Sequence, residues 1–384
     1  MKHTTKSLLF YFASSLLLNA CGGGGGGDDD NGGGNNPGPV NENVNGGLTG
    51  RIFTTNGWII DIASGKGRRT PGVLWDSYCL DFDIVDDDFY CTDPVNTYGS
   101  HPQYNAFPSF NGSKYIVSVN DCVEGYSLDC IEMYYTDTGE LIGKRNTLYQ
   151  SVDVAKFSRD GNYYAYTFKD DAYVNSPTLL IIDNVNNEEI TYSAMDDDGA
   201  VSFDWTDDNR LVYAYNGGIY ITSQYSAEGS RIFYMRDYPE LNDYIGIGGS
   251  VRVSPDGKKI AFNLFKQHLT SSYTPQTPWI MNIDGTDLHR LAYVEGEYAD
   301  FEELFGSLAW SPDGRYILII EGYIPQASIS GSGDGSLYAI PSDSRNVKLN
   351  SNGEDGIIRL KTNYKNDTKD LTYKFNDAVF MWVP

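Results

Sequence analysis

Short apolar runs alternate with polar turns along most of this chain, and one turn keeps returning. Its clearest copy is Trp310-Ser311-Pro312-Asp313-Gly314, followed by the apolar run Tyr316-Ile317-Leu318-Ile319-Ile320. Ser at i, Pro at i+1 and Gly at i+3 suit a type I turn, because Pro presets φ and Gly accepts the left-handed conformation. Aligned on this turn, five copies stand at 108–112, 157–161, 205–209, 253–257 and 310–314. Each ends in Gly or Asn, the residues that tolerate positive φ. These last positions are spaced 49, 48, 48 and 57 residues apart. Strand-like runs follow at Tyr115–Val119, Tyr163–Phe168, Leu211–Tyr215, Ile260–Leu264 and Tyr316–Ile320. A period near 48 with several strands per repeat predicts a propeller.

A second hairpin lies between turns, starting at Trp58, Ile131, Leu179, Ile219, Trp279 and Leu337. In Trp279-Ile280-Met281-Asn282-Ile283-Asp284-Gly285 the Asp-Gly pair marks the reversal. Six outer hairpins against five inner ones leave one inner pair to find. Leu371–Phe375, a turn at Asn376-Asp377 and Ala378–Val383 are expected to supply it, completing the blade begun by residues 51–70. The fold class predicted is all-β: a six-bladed β-propeller over 51–384 whose N- and C-terminal strands share one blade, leaving no edge where the ends meet.

The Trp-Ser-Pro-Asp-Gly turns and the Trp279–Gly285 hairpin resemble the TolB-type six-bladed β-propeller repeat. The resemblance implies the fold and little about activity. TolB itself carries an α/β domain before its propeller, where this chain has a tether, so the resemblance does not extend to a Tol–Pal role. Oligopeptidases of the prolyl type join such a propeller to a hydrolase domain; here no Gly-x-Ser-x-Gly elbow occurs.

The first fifty residues read differently. Lys2 and Lys6 precede an apolar run, Leu8 to Leu18, too short to span a bilayer comfortably and suited to a signal h-region. It ends in Leu18-Asn19-Ala20-Cys21, which resembles the lipobox of bacterial lipoproteins. The resemblance implies a signal peptide over 1–20, lipidation of Cys21, and, with Gly rather than Asp at position 22, anchoring at the outer membrane. More than one acyl chain makes such anchoring stable. Residues 21–50 are rich in Gly, Asn and Asp and read as a flexible tether.

Composition narrows the partners. Lys+Arg number 28 against 52 Asp+Glu, a net charge of -24. So acidic a chain repels nucleic-acid backbones. Cys79, Cys91, Cys122 and Cys130 form an even set in an exported chain, which suggests disulfides. Three pairings exist; the local ones, Cys79–Cys91 and Cys122–Cys130, are favoured because each closes a loop between strand signals.

Antiparallel order puts the inner and outer turns on one face and sends the long segments 71–107, 120–130, 169–178, 265–278 and 321–336 to the other. Long loops on a rigid scaffold are where binding residues gather. Aromatic candidates there are Trp75, Tyr78, Tyr90, Tyr126, Tyr173, Tyr273 and Tyr323, which suit stacking on a sugar or an extended peptide. Asp196, Asp197 and Asp198 offer the oxygens that Ca²⁺ takes, without EF-hand spacing; no other cofactor is expected. His101 and His268 map to the loop face and His289 to an outer strand, so a three-His metal site is not expected. The reading is of a monomeric, lipid-anchored module that binds an envelope protein or polysaccharide. The alternative is a polysaccharide-acting hydrolase or lyase at the channel mouth.

Overall fold

The computed structural model describes residues 43–384 apart from 55–57, 70–81, 86–87, 92–105, 120–121, 123–127, 148–149, 170–176, 195–201, 225, 227, 249, 267–275, 294–304, 322–334, 350–353, 365–366, 371 and 374–379. The strands build six blade sheets, each antiparallel from the innermost strand outward. Blade two runs Phe107–Pro108, Lys114–Val119, Cys130–Tyr135, Leu141–Asn146, and blade three runs Gln150–Phe157, Tyr163–Lys169, Pro177–Asp183, Glu188–Ala194. Blade four runs Ser202–Trp205, Leu211–Tyr215, Gly218–Thr222, Gly229–Tyr234. Blade five has a divided inner strand, Tyr244–Ile247 and Arg252–Val253, then Lys259–Lys266, Gln276–Asn282 and His289–Arg290. Blade six runs Phe305–Trp310, Tyr316–Glu321, Gly335–Pro341, Ile358–Arg359.

Blade one closes the ring. Phe380–Val383 is its inner strand, followed outward by Arg51–Thr54, Trp58–Asp61 and Lys66–Arg69. Ile52 pairs with Trp382 and Phe53 with Met381. The shared blade is therefore as predicted, but its division is not. Three strands come from the N-terminal side and one from the C-terminal side. Thr372–Tyr373 instead pairs with Gly335–Ser336 of blade six. Arg51–Thr54 takes the second-strand place because it alternates correctly: Ile52 packs toward blade six and Phe53 toward blade two. A four-residue run beside a glycine-rich tether gave too short a period to read.

Among residues 43–50, Asn45 and Leu48 pack into the propeller. Asn45 is buried; its amide donates to Ile62 O at 2.6 Å and Lys361 O at 2.9 Å, and its side-chain oxygen accepts from Lys361 N at 2.6 Å. Leu48 joins the core beside Ile52 and Trp382.

The buried apolar side chains fall into six clusters, one at each blade–blade interface. Strand alternation explains how one strand serves two of them. Ile317 and Ile319 face blade five, whereas Leu318 and Ile320 face blade one. Both sides are covered, which is why these strands read as unbroken apolar runs.

All five predicted inner turns form. The backbone N–H of the last residue donates to the carbonyl of the Ser or Thr three residues earlier, at 2.8 Å for Gly112–Ser109, 3.0 Å for Gly161–Ser158, 3.3 Å for Asn209–Thr206, and 2.9 Å for Gly257–Ser254 and Gly314–Ser311. Asn209 has φ 60° and Gly314 φ 71°. In the consensus turn the Ser311 hydroxyl donates to Asp313 Oδ1 at 2.7 Å and accepts from Tyr316 N at 2.9 Å. Each hydroxyl and carboxylate here is thus already committed within its turn. Backbone bonds then join the outer turns to the inner ones: Asn184 N to Asn162 O, Ile283 N to Lys258 O and Ser342 N to Arg315 O, each at 2.8 Å. Both kinds of turn therefore share one face.

Candidate functional site

The inner strands surround a central channel, and the residue just before each turn motif faces a neighbouring blade across one layer of it. Around the ring these residues are Phe107, Lys156, Asp204, Arg252 and Ala309, with Met381 in the equivalent place of blade one, which has no such turn. Blades three, four and five contribute polar groups, and blades six, one and two contribute apolar ones. Lys156 Nζ donates to Phe203 O of the next blade and lies over the rings of Phe107 and Phe203, 5.1 and 5.0 Å from their centroids. Two blades on, Arg252 repeats the contact: its Nε donates to Leu308 O at 3.0 Å. Between them, Asp204 Oδ2 accepts from Val253 N at 2.8 Å. Each polar side chain reaches to the inner strand of the following blade. Indole N–H groups answer in the opposite direction, Trp205 to Lys156 O at 3.1 Å and Trp310 to Arg252 O at 3.0 Å.

Arg159 closes the turn end of the channel. It belongs to the blade-three turn. Its Nε donates to Trp205 O at 3.0 Å and its Nη2 to Val253 O at 2.9 Å, and it stacks 3.9 Å from the centroid of Phe110. One guanidinium thus touches blades two, four and five; a planar cation with several donors suits such a crossing.

The electrostatics follow from burial. Desolvation pushes Lys156 well below its ordinary value; Arg252 and Arg159 add to the shift and Asp204 opposes it. Burial also lowers Arg252 and Arg159, against the pull of Asp204 on both. The cavity between these groups measures about 40 Å³ and is lined by Lys156, Asp204, Arg252, Trp310, Met381 and Trp382 among others.

The strand ends that lead into the long segments between the second and third strands of a blade pair as Val119–Cys130, Lys169–Pro177, Phe265–Gln276 and Glu321–Ser336, at the ends away from the turns. Blade four reverses there through Asn216-Gly217, with Tyr215 paired to Gly218 and φ of 45° and 71°. Of the predicted ligand-binding residues, Trp75, Tyr78, Tyr126, Tyr173, Tyr273 and Tyr323 lie outside the described residues, as do Asp196, Asp197, Asp198, His101, His268, Cys21 and Cys79. Tyr90 and Cys91 fall in the strand Asp88–Cys91, which pairs with Phe82–Val85; their side chains lie outside the described set. Cys122 and Cys130 are disulfide-bonded, with Cα atoms 5.9 Å apart. His289 sits on the outer strand of blade five; burial lowers its pKa, and its Nδ1 lies 2.7 Å from Asp287 O.

Sequence reasoning missed Lys156, Asp204 and Arg252. The signal was one position upstream of the aligned turns, where a charged residue recurs in three consecutive copies inside otherwise apolar strand ends. A charge there has no solvent to face.

No protein-family model and no curated protein matches the chain at the level of sequence. Solved structures match it at the level of the fold. TolB from Acinetobacter baumannii superposes with a TM-score of 0.50 at 14% identity, over 87% of this chain and 67% of that one. The putative TolB from Agrobacterium tumefaciens gives 0.47 at 13% identity, over 88% of this chain and 100% of that one. Hydrazine synthase from Kuenenia stuttgartiensis gives 0.42 at 13% identity over 80% of each. The chain is a six-bladed β-propeller. Its fold is TolB-like, as its turns implied.

Proposed function

We propose that this protein is an envelope-anchored interaction module. Cys21 carries the lipid, the Gly/Asn/Asp-rich segment is the tether, and the propeller engages an envelope protein or polysaccharide through its loop-bearing face. The observation that carries this reading is the inequality of the two faces. On the turn face the turn hydroxyls and carboxylates are engaged in their own hydrogen bonds, and Arg159 is bonded across neighbouring blades. The other face receives the long connections. The polar groups of the channel favour holding over turnover, because Lys156, Asp204 and Arg252 each have a backbone partner.

The test is capture from envelope extract, with a glycan array alongside, using the detergent-solubilised full chain. Shortening the 322–334 segment is expected to abolish capture, while Thr138→Lys on the turn face leaves it intact. The opposite pattern, or no retained protein or glycan, would count against the reading. Cys21→Ser is expected to move the protein from the membrane fraction to the soluble one.

A further inference from the structure

The channel layer holds more cations than carboxylates. Lys156 and Arg252 share one carboxylate, Asp204, whose Oδ2 already accepts from Val253 N. Arg252 is 2% exposed. Its Nε is satisfied by Leu308 O and its Nη1 by Val251 O at 3.2 Å. Its Nη2 is buried with no acceptor among the described residues. Buried donors almost always find a partner, and a guanidinium donor left without one is costly. The cavity that Arg252 lines measures about 40 Å³. One water needs roughly 10–15 Å³ on this measure, so there is room for a species of two or three heavy atoms. Asp204 is the carboxylate of the lining; of the other walls, Arg159 adds a further cation and Trp310, Met381 and Trp382 carry no charge.

We propose that this cavity binds a small monovalent anion, a halide or the carboxylate of a short acid, that accepts a hydrogen bond from Arg252 Nη2 and balances the charge of Lys156. A single negative charge brings Lys156, Asp204 and Arg252 to neutrality. Burial and the repulsion by Arg252 work against a charged Lys156; an anion beside it would oppose both and hold the ammonium charged. The site does not depend on what the loop face binds.

Thermal melts of the full chain in detergent, in the chloride, formate and gluconate salts at equal sodium concentration, test the proposal. Fixed sodium keeps screening of the surface charge constant, and gluconate is a carboxylate too bulky for the cavity. Chloride, formate or both are expected to raise the midpoint over gluconate by about 2 °C. A response to chloride alone marks a halide site and to formate alone a carboxylate site. The chloride NMR line is expected to broaden with protein and sharpen when formate is added. Arg252→Met and Lys156→Met are expected to remove the differences between salts. Equal midpoints in all three salts with no chloride broadening would overturn the proposal, leaving a neutral Lys156 to balance the layer. A folded Arg252→Met variant that keeps the anion response would overturn it too. If neither variant folds, the wild-type competition decides.

Discussion

The two halves of the channel wall are built on the same backbone and solve opposite problems. In blades three, four and five the layer before the turns holds Lys156, Asp204 and Arg252, each bonded to the next inner strand. In blades six, one and two the same layer holds Ala309, Met381 and Phe107, and the ring is held there by packing around Trp382, Leu337 and Ile52. The repeat thus sets the path of the chain and leaves the chemistry of this layer free to vary.

Removing the carboxylate should disturb the polar half most. Asp204→Leu leaves two buried cations uncompensated and the Val253 N–H without its acceptor, so urea denaturation should show a loss of about 3–5 kcal/mol. A loss below about 1 kcal/mol, the scale of an exposed pair, would dissolve the distinction between the halves. On the apolar side, Leu337→Ala should cost about 3 kcal/mol through the cavity it leaves, with no dependence on anion identity. Trp310→Phe, at the border, removes the indole bond to Arg252 O and part of the ring's packing, and should cost about 1–2 kcal/mol.

The smallest effect is also the most local. Partial burial pushes the turn carboxylates Asp160, Asp208, Asp256 and Asp313 up, but hydrogen bonds from the turn hydroxyls and neighbouring groups outweigh it and hold all four below their ordinary value. A depressed carboxylate stabilises the fold above its unfolded pKa, near 4, and that contribution disappears as pH falls through the lower folded value. Blade two has Asn111 at this position and should not respond. Hydrogen exchange at falling pH should therefore loosen the turns of blades three to six before that of blade two. Uniform loosening would contradict the assignment.

The architecture was legible because the turn chemistry is local. Ser311, Pro312 and Gly314 each act within five residues, so a single copy carries its own explanation, and six outer hairpins set the blade count. The division of blade one was not legible, because Arg51–Thr54 becomes a second strand rather than an edge only by pairing with Phe380–Val383, more than 300 residues away. The channel cluster was hidden for a related reason. A lone Lys156 or Arg252 reads as a solvated strand end, and only the closed ring brings them to one cavity.

The seam has a kinetic consequence. The strand Phe380–Val383 is synthesised after every other described strand of the propeller, yet it lies innermost beside Arg51–Thr54, the earliest of them. Until it docks, Ile52 and Phe53 lack a neighbour on one edge and the first blade stays open. Joining segments so distant is slow, since loop closure must precede any reward from the contact. During biogenesis the nascent chain therefore passes through a late, unsealed species with an exposed strand edge, the form most vulnerable to proteases and to pairing with a second molecule.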